Sequence, residues 1–200
     1  MMKRWMIGLA ALLFVTGVRA EDRSLAVLRQ LTSAFTQMSG YSVDFEVQTA
    51  DGAIPGYYEV NGPNYYMQVN DMEAYGDAQF RYEVNSSKRE IVIDLVDLES
   101  HNLLYNPTRA FDFVEGEYAT ELLDETDQMA VIRLTPKSVR SAVGAIDIEV
   151  DTTRSMPVAV IYEVDGDRVR IDIRAVSERE ASARAFDRSK YPDYEWIDFR

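Results

Sequence analysis

A mostly apolar run, 158–164, and an alternating one, 167–173, meet at Asp165-Gly166, and this arrangement leaves that part of the chain little choice of fold. Asp-Gly is a preferred two-residue type I′ turn, whose twist matches that of the strands it joins. Closing it pairs Val164 with Asp167, Glu163 with Arg168, Tyr162 with Val169, Ile161 with Arg170 and Val160 with Ile171. The register checks itself. Tyr162, Val160 and Val158 share a face with Val169, Ile171 and Ile173, while Glu163 meets Arg168 on the opposite face as an opposite-charge cross-strand pair.

The same period of two runs without exception through Tyr41-Ser42-Val43-Asp44-Phe45-Glu46-Val47-Gln48. Similar runs recur at about 56–61, 64–70, 78–84, 89–96, 117–124, 129–135 and 144–151, with a last one near the C-terminus, about eleven strands in all. Ahead of them, Leu25, Leu28, Leu31, Phe35 and Met38 recur at spacings of three and four before Gly40, which predicts an amphipathic helix over 22–39. The strand series is interrupted once, between Asp97 and Val114. There Leu98, Leu103, Leu104 and Tyr105 precede Asn106-Pro107, a helix-start signal, and Ala110, Phe111, Phe113 and Val114 follow, which predicts two short helices. Apolar helices inserted in an antiparallel meander must cover its apolar face.

The first twenty residues read as a processed address. Lys3 and Arg4 form a positive start, Trp5 to Val18 is a 14-residue apolar stretch, and Val18-Arg19-Ala20 ends on a small residue, so cleavage is expected after Ala20. Fourteen residues fall short of the ~20 that span a bilayer as a helix. Removing this segment takes Lys3, Arg4 and Arg19 from 21 basic residues and none from 34 acidic ones, leaving 18 against 34, a net charge of -16 on residues 21–200. That field repels nucleic acid, so no nucleic-acid partner is expected. Residues 21–200 show no repeat, low-complexity tract or linker and read as one domain.

Catalytic chemistry finds few groups. The chain has no cysteine and one histidine, His101, which excludes a disulfide framework, a thiolate metal site, a cysteine nucleophile and a lipid anchor of its own. No phosphate loop, nucleophile elbow or metal-binding spacing is present, so no enzyme activity, cofactor or metal is expected. Asp165-Gly166-Asp167 is explained by the hairpin without a calcium ion. What stands out is apolar and aromatic: Tyr57, Tyr58, Tyr65, Tyr66, Met67, Phe80 and Tyr82 crowd into adjacent strands between Val43, Phe45 and Val47 on one side and Ile91, Ile93 and Leu95 on the other. Either these residues simply form the core against the helices, or the curved sheet encloses more apolar surface than it fills and holds a ligand.

These residues also carry a resemblance. Val43-Asp44-Phe45-Glu46, the hairpin Gly56-Tyr57-Tyr58-Glu59-Val60-Asn61-Gly62-Pro63-Asn64-Tyr65-Tyr66, Asn106-Pro107 with Phe111, Leu134-Thr135-Pro136-Lys137 and the ending Tyr191-Pro192-Asp193-Tyr194-Glu195-Trp196-Ile197-Asp198-Phe199-Arg200 stand in the order found in one family. Over residues 21–200 the chain resembles the periplasmic lipoprotein carrier family LolA, in its Bacteroidetes-like form. The resemblance implies a mainly β (α+β) fold: an incomplete antiparallel β-barrel whose apolar cavity is covered by the N-terminal helix and short lid helices. It implies a soluble, non-catalytic periplasmic shuttle, a monomer taking acylated lipoproteins from an inner-membrane ABC exporter to an outer-membrane acceptor. Cavity residues are then expected among Val43, Phe45, Val47, Tyr58, Val60, Tyr65, Met67, Phe80, Tyr82, Ile91 and Ile93, with a lid of Leu103, Leu104, Phe111 and Phe113. Proteobacterial members carry an arginine just before the hairpin proline that is thought to hold the lid shut; here Gly62 stands there, so a charged latch at that point is absent. The same fold could instead carry another lipid or amphiphile, or serve as an interaction or sensor domain filled by its own side chains.

Overall fold

A computed structural model describes residues 10–112, 116–138, 144–164 and 166–200. One helix, α1 (Ala10–Thr36), precedes twelve strands: β1 (Tyr41–Thr49), β2 (Gly52–Asn61), β3 (Asn64–Val69), β4 (Met72–Gly76), β5 (Phe80–Asn85), β6 (Glu90–Leu95), β7 (Tyr118–Glu125), β8 (Met129–Pro136), β9 (Ile146–Asp151), β10 (Met156–Val164), β11 (Asp167–Glu178) and β12 (Glu195–Asp198). They form a single sheet in the order β12-β6-β5-β4-β3-β2-β1-β11-β10-β9-β8-β7. Neighbours are antiparallel except β12, which runs parallel to β6. Because β7 and β12 lie at opposite ends of this order, the sheet is open, an incomplete barrel as expected.

The β10–β11 register is the one read from the sequence, from Val160 opposite Ile171 to Val164 opposite Asp167. Asp165 lies outside the described residues, and Gly166 has φ +89°, the positive value a type I′ turn demands of its second residue. Arg168 turns its guanidinium to Asp147, 2.7 Å away. On the outward face of β1, β8, β9 and β11 such pairs form a layer. Asp147 also receives Arg133, Arg170 grips Glu149 with both terminal nitrogens, and Gln48 donates to Asp172. This half of the outer face is charged and meets water, while Ile132, Leu134, Ile146, Ile148, Val160 and Ile171 are buried on the inner one.

The additional strand relative to the sequence reading is β4. Met-Glu-Ala-Tyr-Gly shows no apolar alternation because its inward positions include the small Ala74, opposite Met67, and Gly76, opposite Tyr65. A Cβ on Gly76 would overlap the Tyr65 ring, and one on Gly56 the ring of Phe45, its cross-strand partner. Each glycine lets an aromatic ring lie flat across the neighbouring strand. Gly76→Ala should therefore cost about 1–3 kcal/mol, the usual penalty of overpacking. Urea unfolding measures it, and an unchanged midpoint would show that the Tyr65 ring moves aside freely.

Helix α1 begins earlier than the expected 22–39 and stops at Thr36, where the backbone tightens through the Met38 N–H donating to the Phe35 carbonyl. Its buried stripe is Val27, Leu28, Leu31 and Phe35. It docks on the β7 side of the sheet, where Ser24 Oγ meets Thr120 Oγ1 at 2.8 Å and Arg23 donates to Glu125. Among the described residues, no helix is long and apolar enough to cross a membrane.

The two short helices expected between 97 and 114 do not form. Among the described residues this segment contains one 3-10 turn, Pro107–Arg109, and is otherwise irregular. Its polar side chains capture the backbone: Asp97 accepts from the Glu99 N–H, Ser100 from the Asn102 N–H and Asn102 from the Leu104 N–H, while buried Asn106 donates to the Asp97 carbonyl. Such local bonds compete with a helix for the same groups. Phe113 and Val114 lie outside the described residues.

Candidate binding face and its lid

Strict alternation in β1, β2 and β3 sends Tyr41, Val43, Phe45, Val47, Tyr58, Val60, Tyr65 and Met67 inward. There they join α1, the inward residues of β8–β11, and Leu103, Ala110 and Phe111 of the segment 97–112 in one apolar layer, with Leu104 packed against it. Phe111 stacks on Phe35 at 4.4 Å. The structure thus brings together seven of the expected cavity residues (Val43, Phe45, Val47, Tyr58, Val60, Tyr65, Met67) with Leu103, Leu104 and Phe111.

The other four sit elsewhere. Ile91 and Ile93 are buried on the outer face of the sheet with Tyr66, Tyr75, Val84 and Tyr191, and Tyr82 packs against them. Phe80 follows the same parity and lies under the Arg200 guanidinium at 4.9 Å. The outer face is apolar here because the C-terminal segment after β11 crosses it: Phe186 stacks on Tyr82 at 4.3 Å, and Tyr191, Tyr194 and Trp196 belong to the same cluster. Aromatic content marks both faces of this half of the sheet as buried, so it does not say which face is inner. Phe113, the remaining expected lid residue, lies outside the described residues.

On the inner side of β5 stands a residue the sequence reading passed over, Arg81. Its guanidinium donates to the Tyr105 carbonyl at 2.6 Å, the Leu104 carbonyl at 3.3 Å, the Tyr65 hydroxyl at 3.1 Å and Glu83 at 2.6 Å. The only signal available was a charge at the parity opposite to Phe80 and Tyr82. The charge that binds segment 97–112 to the sheet thus comes from β5 and not from the β2–β3 turn, where Gly62 has φ +57°.

Three tyrosines add ties of the same kind. The Tyr162 hydroxyl accepts from the Leu103 N–H at 2.9 Å and donates to the His101 carbonyl at 3.0 Å, Tyr41 donates to the Pro107 carbonyl at 3.3 Å, and Tyr65 to the Tyr105 carbonyl at 3.5 Å. From α1, Thr32 donates to the Phe111 carbonyl. His101 is buried at the segment's edge. Nε2 donates to the Asp112 carbonyl at 2.8 Å, which leaves Nδ1 to accept from Tyr118 at 2.9 Å. Burial first, then the charge of Arg109, pulls its pKa below the usual histidine range and keeps the ring neutral, while burial pushes the Tyr118 hydroxyl up to about 12.

Two apolar cavities flank the segment. One of about 250 Å³ lies among Phe35, Met38, Tyr41, Val60 and Phe111, and one of about 170 Å³ among Met67, Val69, Ala74, Arg81 and Leu104. Ligand pockets commonly measure roughly 300–1,000 Å³, so neither alone would house a pair of long acyl chains. A larger cavity, about 510 Å³, is lined by Glu99, His101, Glu117, Tyr118, Lys137 and Ser138, where charged side chains share the wall with apolar surface. Among the described residues, no group of three or more His, Asp or Glu is placed to hold a metal ion.

No family model matches the sequence, and no curated protein matches it. Solved structures do. The chain is similar to an uncharacterized conserved protein from Thermus thermophilus at a TM-score of 0.56 and 5% identity, over 88% of this chain and 99% of that one. Fainter likenesses join it to a domain assigned as an outer membrane lipoprotein-sorting protein from Vibrio parahaemolyticus (TM-score 0.46, 8% identity, 86% and 97% of the two chains) and to a LolA superfamily protein from Nitrosomonas europaea (TM-score 0.41, 11% identity, 85% and 97%). At such identities the likeness is one of fold alone.

Proposed function

We propose that this protein is a LolA-like carrier. It takes the acyl chains of lipoproteins between the inner face of its sheet and segment 97–112, which serves as a lid, and carries them across the periplasm from the inner to the outer membrane. Export would follow from the N-terminal segment, with cleavage after Ala20 shortening α1 to residues 21–36. Nothing is catalysed in this reading.

One observation supports it above the others. The lid plugs the middle of a continuous apolar layer with Leu103, Ala110 and Phe111, yet the sheet holds it by hydrogen bonds from four side chains, Tyr41, Tyr65, Arg81 and Tyr162, to lid backbone groups. Lifting it would join the two flanking cavities through the space that Leu103, Ala110 and Phe111 vacate. Removing Leu103 and Phe111 from their seats costs roughly 1.5–3 kcal/mol each, and each acyl methylene buried in their place returns about 0.8 kcal/mol. Two long chains outweigh that loss severalfold in water. Against a bilayer, which offers methylenes a similar environment, the balance is near neutral, as a carrier that must both extract and release its cargo requires.

The closed packing also supports a second reading, an interaction domain that never opens, since Tyr58, Tyr65, Leu103 and Phe111 fill the inner face with the chain's own atoms. Native mass spectrometry of the protein purified from its own periplasm, followed by addition of a diacylated cysteine peptide, separates the two. Recovery of acylated peptides or lipoproteins, or stoichiometric uptake of the added peptide, is the expected result. A protein that stays empty and rejects the peptide is the packed interaction domain, and a different copurified lipid makes it a carrier of another amphiphile.

A further inference from the structure

Tyr58 lies at the heart of the inner face, fully buried, and its hydroxyl has no hydrogen-bond partner among the described residues. The rings of Phe45 and Tyr41 stand 5.9 and 6.1 Å from its own. Native interiors rarely leave such a group unpaired, because the bonds it made to water are lost and not replaced. Burial, with Tyr41 and Tyr162 nearby, pushes the Tyr58 hydroxyl well above the usual range, so it remains protonated and can donate.

The surrounding hydroxyls show what kind of group belongs there. Tyr41, Tyr65 and Tyr162 all rise from the sheet, and all three donate to backbone carbonyls of the lid, those of Pro107, Tyr105 and His101. Lid carbonyls therefore occupy positions that an incoming carbonyl oxygen would fit equally well. Tyr58, set among them, has the same chemistry and no lid carbonyl of its own.

We infer that Tyr41, Tyr58, Tyr65 and Tyr162 form a polar tier within the apolar face that receives the carbonyl oxygens of acyl esters and amides when the lid carbonyls leave. This deepens the carrier reading and rests on it. Exchanging a lid carbonyl for a ligand carbonyl keeps the bond that each of Tyr41, Tyr65 and Tyr162 donates; Tyr162 loses the one it accepts from the Leu103 N–H, and Tyr58 gains one. Selection then falls on the linkage of the chains as well as on their length. A pure hydrocarbon offers no acceptor, and a glycerol diether only ether oxygens that accept more weakly and sit one bond away from where a carbonyl oxygen would reach, so a site built to hydrogen-bond carbonyls rejects both more strongly than it rejects a missing methylene. A diacylglycerol and a diacylglyceryl-cysteine peptide share the required chemistry.

Displacement of a fluorescent fatty acid from the purified protein tests this with three competitors: dipalmitoylglycerol, a dipalmitoylglyceryl-cysteine peptide, and dihexadecylglycerol, the diether counterpart. Both diesters should bind about tenfold more tightly than the diether, the equivalent of one net hydrogen bond, and the tighter of the two identifies the natural source. Tyr58→Phe should abolish most of that preference, leave diether affinity unchanged and hold or raise the thermal midpoint, since it deletes an unpaired hydroxyl. Equal binding of diester and diether, or a preference that survives both Tyr58→Phe and Tyr162→Phe, overturns the tier and leaves the carrier reading intact. Failure of the fluorescent fatty acid and of all three competitors to bind overturns both.

Discussion

Glu59→Ala should destabilise the protein by about 3 kcal/mol and loosen the C-terminal segment from the sheet. The Glu59 side chain is 2% exposed and points to the outer face, where the Arg184 N–H, Arg184 Nε and the Tyr57 hydroxyl donate to it at 2.7, 3.1 and 3.0 Å, with Arg179 at 3.3 Å. Arg184 in turn lies 3.8 Å over the Tyr66 ring. Deleting the carboxylate leaves these donors facing an apolar wall. Arg184 and Arg179 are themselves partly in water, which holds the cost at the lower end of what breaking a buried pair incurs. Urea unfolding gives the magnitude, and limited proteolysis within 179–190 reports the loosening. A variant as stable and as resistant as the parent would show that the aromatic contacts of Phe186, Tyr191 and Trp196 hold the segment without help.

The same residue sets a pH dependence. Burial alone raises the Glu59 pKa, but the hydrogen bonds from Arg184 and Tyr57 and the Arg184 charge outweigh it and hold the carboxyl below its ordinary 4.5. A carboxyl depressed in the folded state contributes stability that is complete above the unfolded value and is lost as pH falls through the folded one. Glu59→Gln should accordingly flatten the loss of stability with acid below about pH 4.5, where the parent protein releases this contribution.

Arg81→Leu should tighten the apparent affinity for an acylated peptide by roughly thirtyfold. In the closed state the guanidinium spans the Leu104 and Tyr105 carbonyls, and hydrogen bonds from a charged donor are worth about 1.5–3 kcal/mol each. Only the Tyr105 bond is short enough to count in full, and losing its roughly 2 kcal/mol of closure raises the fraction of molecules with the lid displaced by the same factor that the apparent affinity gains. Glu83, left without its partner, is 36% exposed and rehydrates. Hydrogen exchange at residues 103–111 should accelerate in parallel, and Arg81→Lys, a point charge without the fork, should fall between the two. Unchanged affinity together with unchanged exchange would show that Arg81 is a structural residue of β5 and no latch.

Alternation and turn chemistry are local, so the sequence by itself determined that the chain is mainly β, where most strands lie, and the register of β10 against β11. Parity within β1 groups Val43, Phe45 and Val47, and parity across the Gly62-Pro63 hairpin groups Tyr58 and Val60 with Tyr65 and Met67; that the two groups share one face is set by the β1–β2 register in the structure. Tertiary structure decided the rest. β4 carries Ala74 and Gly76 where apolar bulk would have announced a strand, since its inward space is taken by the rings of its neighbours. Segment 97–112 is irregular because Asp97, Ser100, Asn102 and Asn106 bind its own backbone, and the charge tied to it is Arg81, whose partners are carbonyls more than twenty residues away. Phe80, Tyr82, Ile91 and Ile93 face outward because a segment at the far end of the chain covers them. Hydrophobicity records that a residue is buried, and only the path of the rest of the chain decides against what.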